Sequence, residues 1–220
     1  MESFADAKRT ILREVTTDDP EVRGSFLKRY AGQADQFAEH MAKATLAWQQ
    51  LAANADEHPK LVFVVNVVYC AIALHIQSAK LFLAGQIVAA ANLTRQVLEA
   101  IATALLCSGK ELNVLDRFVA DQYSTKNAVR DVLRNWERLN LLKAGVTALA
   151  EAEEFYHLYS HMSKMTVASV TSFAENGFYV GASFDEGKVE AYDKEMQSRV
   201  DLAALFHNFV EAVTTNVAKW

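Results

Sequence analysis

Helix breakers are scarce in this sequence. Its 220 residues include two prolines and eight glycines, which argues against a turn-rich β architecture and favours long helices. Cysteine is scarce as well. Cys70 and Cys107 lie far apart and form no C-x-x-C. They read as two small buried hydrophobes in a reducing compartment, with a disulfide between neighbouring helices as the alternative. Positive charge is not in excess. The net charge of -5 excludes broad, nonspecific nucleic-acid binding, which needs a basic face, and leaves room only for a local basic groove. The opening MESFADAKRT has no apolar signal core, so a cytoplasmic protein is expected. There is no P-loop, G-x-G-x-x-G, H-E-x-x-H or G-x-S-x-G, and no linker, low-complexity run or solenoid repeat.

What the chain has is apolar helix. Hydrophobic residues make up 51% of it, enough for a sizeable core. The most apolar stretch runs from Leu61 to Cys107, and the rest of the chain is organised around it. Leu61 to Ile76 is shorter than the roughly 20 residues of a membrane span. It contains Asn66 and His75, and Gln77, Ser78 and Lys80 follow. A core helix is therefore expected, and no membrane partner. Its β-branched run (Val62, Val64, Val65, Val67, Val68) leaves a buried strand as the alternative, but its length favours helix. The second half reads as another buried helix, joined to the first near Gly85. Leu93, Val97, Ile101 and Leu105 repeat on one face. Arg95 and Glu99 lie on another, at the i, i+4 spacing that makes helix neighbours. They read either as an ordinary intrahelical pair or as a partly buried pair kept to hold something polar.

The flanking segments carry helical rhythm. Glu2 to Val15 reads as a short helix with Phe4, Ile11 and Val15 apolar. Asp18 or Asp19 caps the next one and Pro20 suits its first turn. Glu21 to about Asn54 has Phe26, Tyr30, Phe37, Met41, Trp48 and Leu51 on a 3-4 spacing, the pattern of a bundle helix. Glu111 to Asn140 reads helical with a break at Ser124 and Thr125. Arg130, Arg134 and Arg138 form a stripe on it, read as a solvated face rather than a phosphate contact. Thr147 to about Glu175 reads helical, and GFYVGASF as a loop with a small hairpin. Asp185 to Lys219 is the last long helix. The expectation is an all-α, single-domain helical bundle of about seven helices, with long N-terminal and C-terminal helices around a buried central pair.

Chemistry concentrates between Glu153 and Lys164. His157 and His161 share a helix face, and Glu154 makes an E-x-x-H with His157. Two histidines at i, i+4 can chelate a metal, and E-x-x-H is half of a di-iron signature. No second copy exists, and Glu39–His40 and Glu57–His58 have the wrong spacing. Glu154 and His157 are the metal candidates, and no cofactor is expected. Tyr156, Ser160, Ser163 and Lys164 add polar groups to the same stretch. Such crowding between apolar helices lines a cleft or an interface, because burying it unpaired is costly. Ser160 and His161 are adjacent, so they do not face each other as a catalytic pair would.

Arg95-x-x-x-Glu99 on a helix that follows an apolar helix and a Gly turn (LFLAGQIVAAANLTRQVLEA), with a later Tyr-x-x-x-Ser helix (YHLYSHMSKMT), resembles the HEPN-like group. These are higher-eukaryote and prokaryote nucleotide-binding helical proteins, including uncharacterised bacterial ones associated with abortive infection. The resemblance covers about residues 60 to 175. It implies a helical bundle, a homodimer, and a polar groove near the interface made here by Arg95, Glu99, Tyr156, Ser160 and His161. It also implies RNA or a nucleotide as the partner class. Many members are ribonucleases with an Arg followed within two turns by a His. This chain departs from that: Arg199 to His207 is too long a spacing, and Lys164 stands where a His would follow the Ser. A noncatalytic binding or interaction protein in a defence or stress setting is the expectation. A metal-independent ribonuclease with His161 as base and Arg95 as charge stabiliser is the alternative. A metal-binding oxidase on Glu154 and His157 is a third.

Overall fold

The computed structural model describes residues 3–16, 19–55, 58–159, 166 and 184–220. Among these residues there are eight α-helices and no strand. They are α1 (Phe4–Thr16), α2 (Pro20–Ala53), α3 (Pro59–Leu83), α4 (Ile87–Ser108), α5 (Val114–Val119), α6 (Ala128–Asn135), α7 (Lys143–His157) and α8 (Val189–Val217). The all-α bundle expected from the sequence is the observed fold, and one continuous core runs through it.

The central hairpin of α3 and α4 has the most extensive helix–helix contact, and α8 packs along both of these helices and along α2. α4 lies at the centre. From Ile101 to Ser108 every residue is buried, because α3, α5, α6, α7 and α8 all pack on this helix. An aromatic cluster joins α2, α3 and α8. The Phe26 ring lies edge-on to Phe82 and Phe184, and Tyr192 and Tyr30 complete the set. α2 kinks at Tyr30, whose backbone leaves the helical region (φ -105, ψ 18). The Tyr30 hydroxyl is 2.9 Å from Asp193 Oδ1 on α8.

α2 begins as the sequence indicates. The Asp19 side chain accepts hydrogen bonds from the backbone N–H of Glu21 and Val22, with Pro20 in the first turn, which satisfies donors the helix itself leaves open. α3 is long and apolar enough to cross a bilayer by length and composition. One side of it, including Val64, Val68, Ile72 and Phe82, is buried in protein, while Val62, Tyr69 and Ile76 remain exposed.

Several expectations are corrected. Glu111 to Asn140 is not one interrupted helix. It is two short helices and two 3-10 turns, with left-handed backbone at Asn113, Asp121 and Asn140. α6 therefore ends before Arg138, and the three arginines do not share a helix face. Cys107 is buried but Cys70 is exposed, and both thiols are free. Phe4, Ile11 and Val15 of α1 are exposed. The hairpin proposed in GFYVGASF falls mostly outside the described residues.

Gly85 makes the α3–α4 turn. Its φ is 78°, and the Gly85 and Gln86 amides donate to the Phe82 and Leu81 carbonyls at 2.8 and 2.9 Å. This is a Schellman ending, which needs left-handed backbone at that residue. Gly85→Ala is expected to destabilise the fold by about 1 kcal/mol, and Gly85→Asn by less. Urea denaturation of the two variants checks this, and unchanged midpoints would sink the assignment.

Candidate functional site

Helical spacing puts Ala91, Arg95 and Leu98 on one side of α4. Ala91 and Leu98 pack against Tyr156 within α7 and Tyr159 just after it, so Arg95 sits at the edge of the α4–α7 contact. Arg95 Nη2 is 2.5 Å from Glu99 Oε1, and each side chain is only 22% exposed. α7 adds a third member: Glu153 Oε1 is 3.9 Å from Arg95 Nε. That Nε is buried and makes no hydrogen bond among the described residues. The group carries one cation and two carboxylates.

Tyr156 lies one turn after Glu153 and turns inward. It is buried, and its hydroxyl is 3.3 Å from Glu195 Oε2 and 3.1 Å from Ser198 Oγ on α8. The Tyr159 hydroxyl is 3.2 Å from the other oxygen, Glu195 Oε1. Burial pushes the Tyr156 phenol up to about 12 and raises that of Tyr159, so both remain neutral donors.

These tyrosines point to a buried ion pair that the sequence reading missed. Arg199 Nη1 donates to Glu195 Oε2 at 2.6 Å and to the Glu195 carbonyl at 2.8 Å. Arg199 is fully buried. Its Nε donates to Ser78 Oγ of α3 at 3.2 Å. Ser78 in turn bonds the Ala90 carbonyl at 2.9 Å and lies 2.7 Å from Thr94 Oγ1 of α4. Nη2 has no hydrogen-bond partner among the described residues, but the Phe82 ring lies 4.9 Å from the guanidinium carbon and Tyr156 lies 6.0 Å from it. Aromatic faces of this kind attract a cation. His75 closes the network. Its Nε2 is 3.0 Å from the Arg199 carbonyl, so Nε2–H is the donor. Its ring stacks on Phe206 and tilts against Phe37. Burial lowers its pKa to about 3, and the Arg199 charge adds to the effect.

A signal for the missed pair was present. Glu195 and Arg199 are four apart. They fall between Tyr192, Met196, Val200 and Ala203, on the apolar face of α8, where a charge needs a partner. Of the residues singled out from the sequence, the structure joins Arg95 to Glu99 and brings in Glu153. It places Tyr156 behind them in the core. Ser160, His161, Ser163 and Lys164 lie outside the described residues. Glu154 and His157 are exposed, and no group of three His, Cys, Asp or Glu suited to a metal occurs among the described residues. Comparison with protein-family models, with curated proteins and with solved structures finds no match.

Two outcomes follow from the buried network. Arg199→Met leaves Glu195 buried without its cation and is expected to cost about 3–5 kcal/mol. Adding Glu195→Gln removes the second charge while keeping an acceptor for one tyrosine and an N–H that the other hydroxyl can accept, so the double variant recovers most of that loss. Chemical denaturation of the pair and the single variants measures it, and an additive double variant would contradict the account. His75 sets a pH dependence. The unfolded side chain titrates near 6.5 and the folded one near 3, so unfolding takes up a proton between those values. The stability contributed by neutral His75 is complete above pH 6.5 and is lost as pH falls toward 3, at up to about 1.4 kcal/mol per pH unit. The stability-versus-pH curve of His75→Gln should be flatter than wild type in that window, and a parallel curve would refute it.

Proposed function

We propose that this chain is a noncatalytic, HEPN-like binding or interaction protein of a defence or stress setting, working in the cytoplasm as a homodimer. One observation carries the noncatalytic reading: Arg95 is held between two carboxylates, Glu99 at 2.5 Å and Glu153 at 3.9 Å. A ribonuclease needs its cation available to the charge that develops on phosphorus. Here that cation is more than neutralised, and an approaching phosphate would meet the second carboxylate. The same geometry suits a polar patch that fixes the α4–α7 edge for a protein partner, since paired charges at a rim set orientation and exclude wrong partners.

A metal-independent ribonuclease is the second reading. The Arg95 Nε proton, which makes no hydrogen bond among the described residues, is the observation in its favour, with His161 as the base. The oxidase reading has no supporting group of ligands among the described residues.

Purified protein incubated with a mixed RNA pool, beside folded Arg95→Ala and His161→Ala variants, separates the first two. No cleavage by any of the three is the expected result. Cleavage by wild type that is lost in both variants would establish the ribonuclease instead. Light scattering should give a dimer mass, and a clean monomer mass at high concentration would remove the homodimer from the reading.

A further inference from the structure

A cavity of about 360 Å³ opens at the end of the bundle remote from Arg95. It lies where the start of α3, the end of α4, the turn into α5 and the last residue, Trp220, meet. Its volume falls within the range of small-molecule pockets. Its wall is apolar: Val114 and Leu115 contribute side chains that are buried in the core. The indole of Trp220 is fixed beside them, because Nε1 donates to the Ser108 carbonyl at 2.8 Å. Cys107 also lines the wall, and burial pushes its thiol up to about 12, so it adds a neutral, unreactive surface.

The rim differs in kind from the wall. His58, Lys60 and Lys110 line it, and among the described lining residues Asp116 is the one acidic side chain. Asp116 is taken by Lys60 at 2.6 Å. Lys110 has no ion-pair partner among the described residues. The start of α3 sits at the same rim, and its N-cap residue His58 makes no side-chain capping bond, so the positive end of that helix adds to the same potential. Apolar walls below a cationic rim match a molecule with an apolar body and an anionic head.

We propose that this cavity binds a small amphiphilic anion, its apolar body against Val114, Leu115 and Trp220 and its acidic group at Lys110. The site is separate from the Arg95 group and does not rest on the function proposed above.

The test uses 1-naphthoate as the anionic probe and the uncharged 1-naphthamide as its neutral counterpart, both by isothermal titration calorimetry on the full chain. Naphthoate should bind saturably at one per chain, with a Kd below about 1 mM, and the amide on the order of tenfold more weakly. Lys110→Glu reverses a charge on an exposed residue and should weaken naphthoate binding by at least about tenfold. Lys43→Glu, the same charge change on α2 away from the cavity, should leave it unaltered. Val114→Trp fills the cavity and should abolish binding of both probes. If that variant does not fold, Lys110→Glu decides alone. Absence of saturable binding, equal affinity for the two probes, or naphthoate binding that survives Lys110→Glu would each overturn the proposal.

Discussion

The buried pair of Glu195 and Arg199 is the constraint on which the packing of this bundle turns. A charge taken out of water is tolerated only when its donors and acceptors are met. Here Ser78 of α3 accepts from Arg199 Nε, Tyr156 and Tyr159 at the end of α7 donate to the Glu195 carboxylate, and His75 and Thr94 join the same network through the Arg199 carbonyl and Ser78. A purely apolar interface among these helices would tolerate small slides, since apolar contact is nondirectional. Hydrogen bonds aimed at one carboxylate and one guanidinium are not so forgiving. The network therefore fixes how α8 lies against α3 and α4, and it ties α7 to the same register. Its net worth in stability is small compared with the cost of breaking it. That asymmetry makes it a device for specificity of packing rather than a source of strength.

Much of the fold was legible because its long helices obey a single rule. The 3-4 spacing in α2 and α8 marks the residues that are buried: Phe26, Tyr30, Phe37, Met41 and Leu51 in one, Tyr192, Met196, Val200, Phe206 and Val210 in the other. Gly85 announced the turn between α3 and α4. Where the chain leaves that rule, local pattern misled. Residues 111–140 contain good helix formers, but left-handed Asn113 and Asp121 break the run, and nothing in periodicity encodes which Asn or Asp will take that conformation. Cys70 lies in a helix apolar nearly all round, so composition could not say that its side faces out. Tyr156 was legible as a residue of interest but not as a core residue. Its burial depends on an acceptor, Glu195, that is 39 positions away.

The two arginine–glutamate pairs of this protein show how little spacing alone says about role. Both are i, i+4 pairs on helices that are mostly apolar. In α8 the Glu precedes the Arg, the order that suits the helix dipole, and the pair is sealed by two tyrosine hydroxyls and a serine. In α4 the Arg precedes the Glu, the pair is partly open to solvent, and a third charge from α7 stands nearby. The sealed pair takes its hydrogen bonds from inside the chain, leaves Arg199 Nη2 against aromatic rings, and has no surface to offer. The open pair carries an excess of negative charge at the edge of a helix interface. Environment, not sequence motif, separates the structural pair from the one that can meet a partner.

α4 also sets the distance between the two sites proposed above. Arg95 lies in its first half and Cys107 at its last turn, so about 12 residues at 1.5 Å rise put roughly 18 Å between them. A ligand small enough for a 360 Å³ cavity cannot bridge that distance and touch Arg95. The second half of the segment between them, Ile101 to Leu106, is buried on every side. Switching through close-packed helices needs a second arrangement for them to adopt, and the Glu195–Arg199 network opposes one by fixing the register of the neighbours. The binding proposed at the cavity and the contact proposed at the α4–α7 edge are therefore expected to be independent, so that loss of either leaves the other in place.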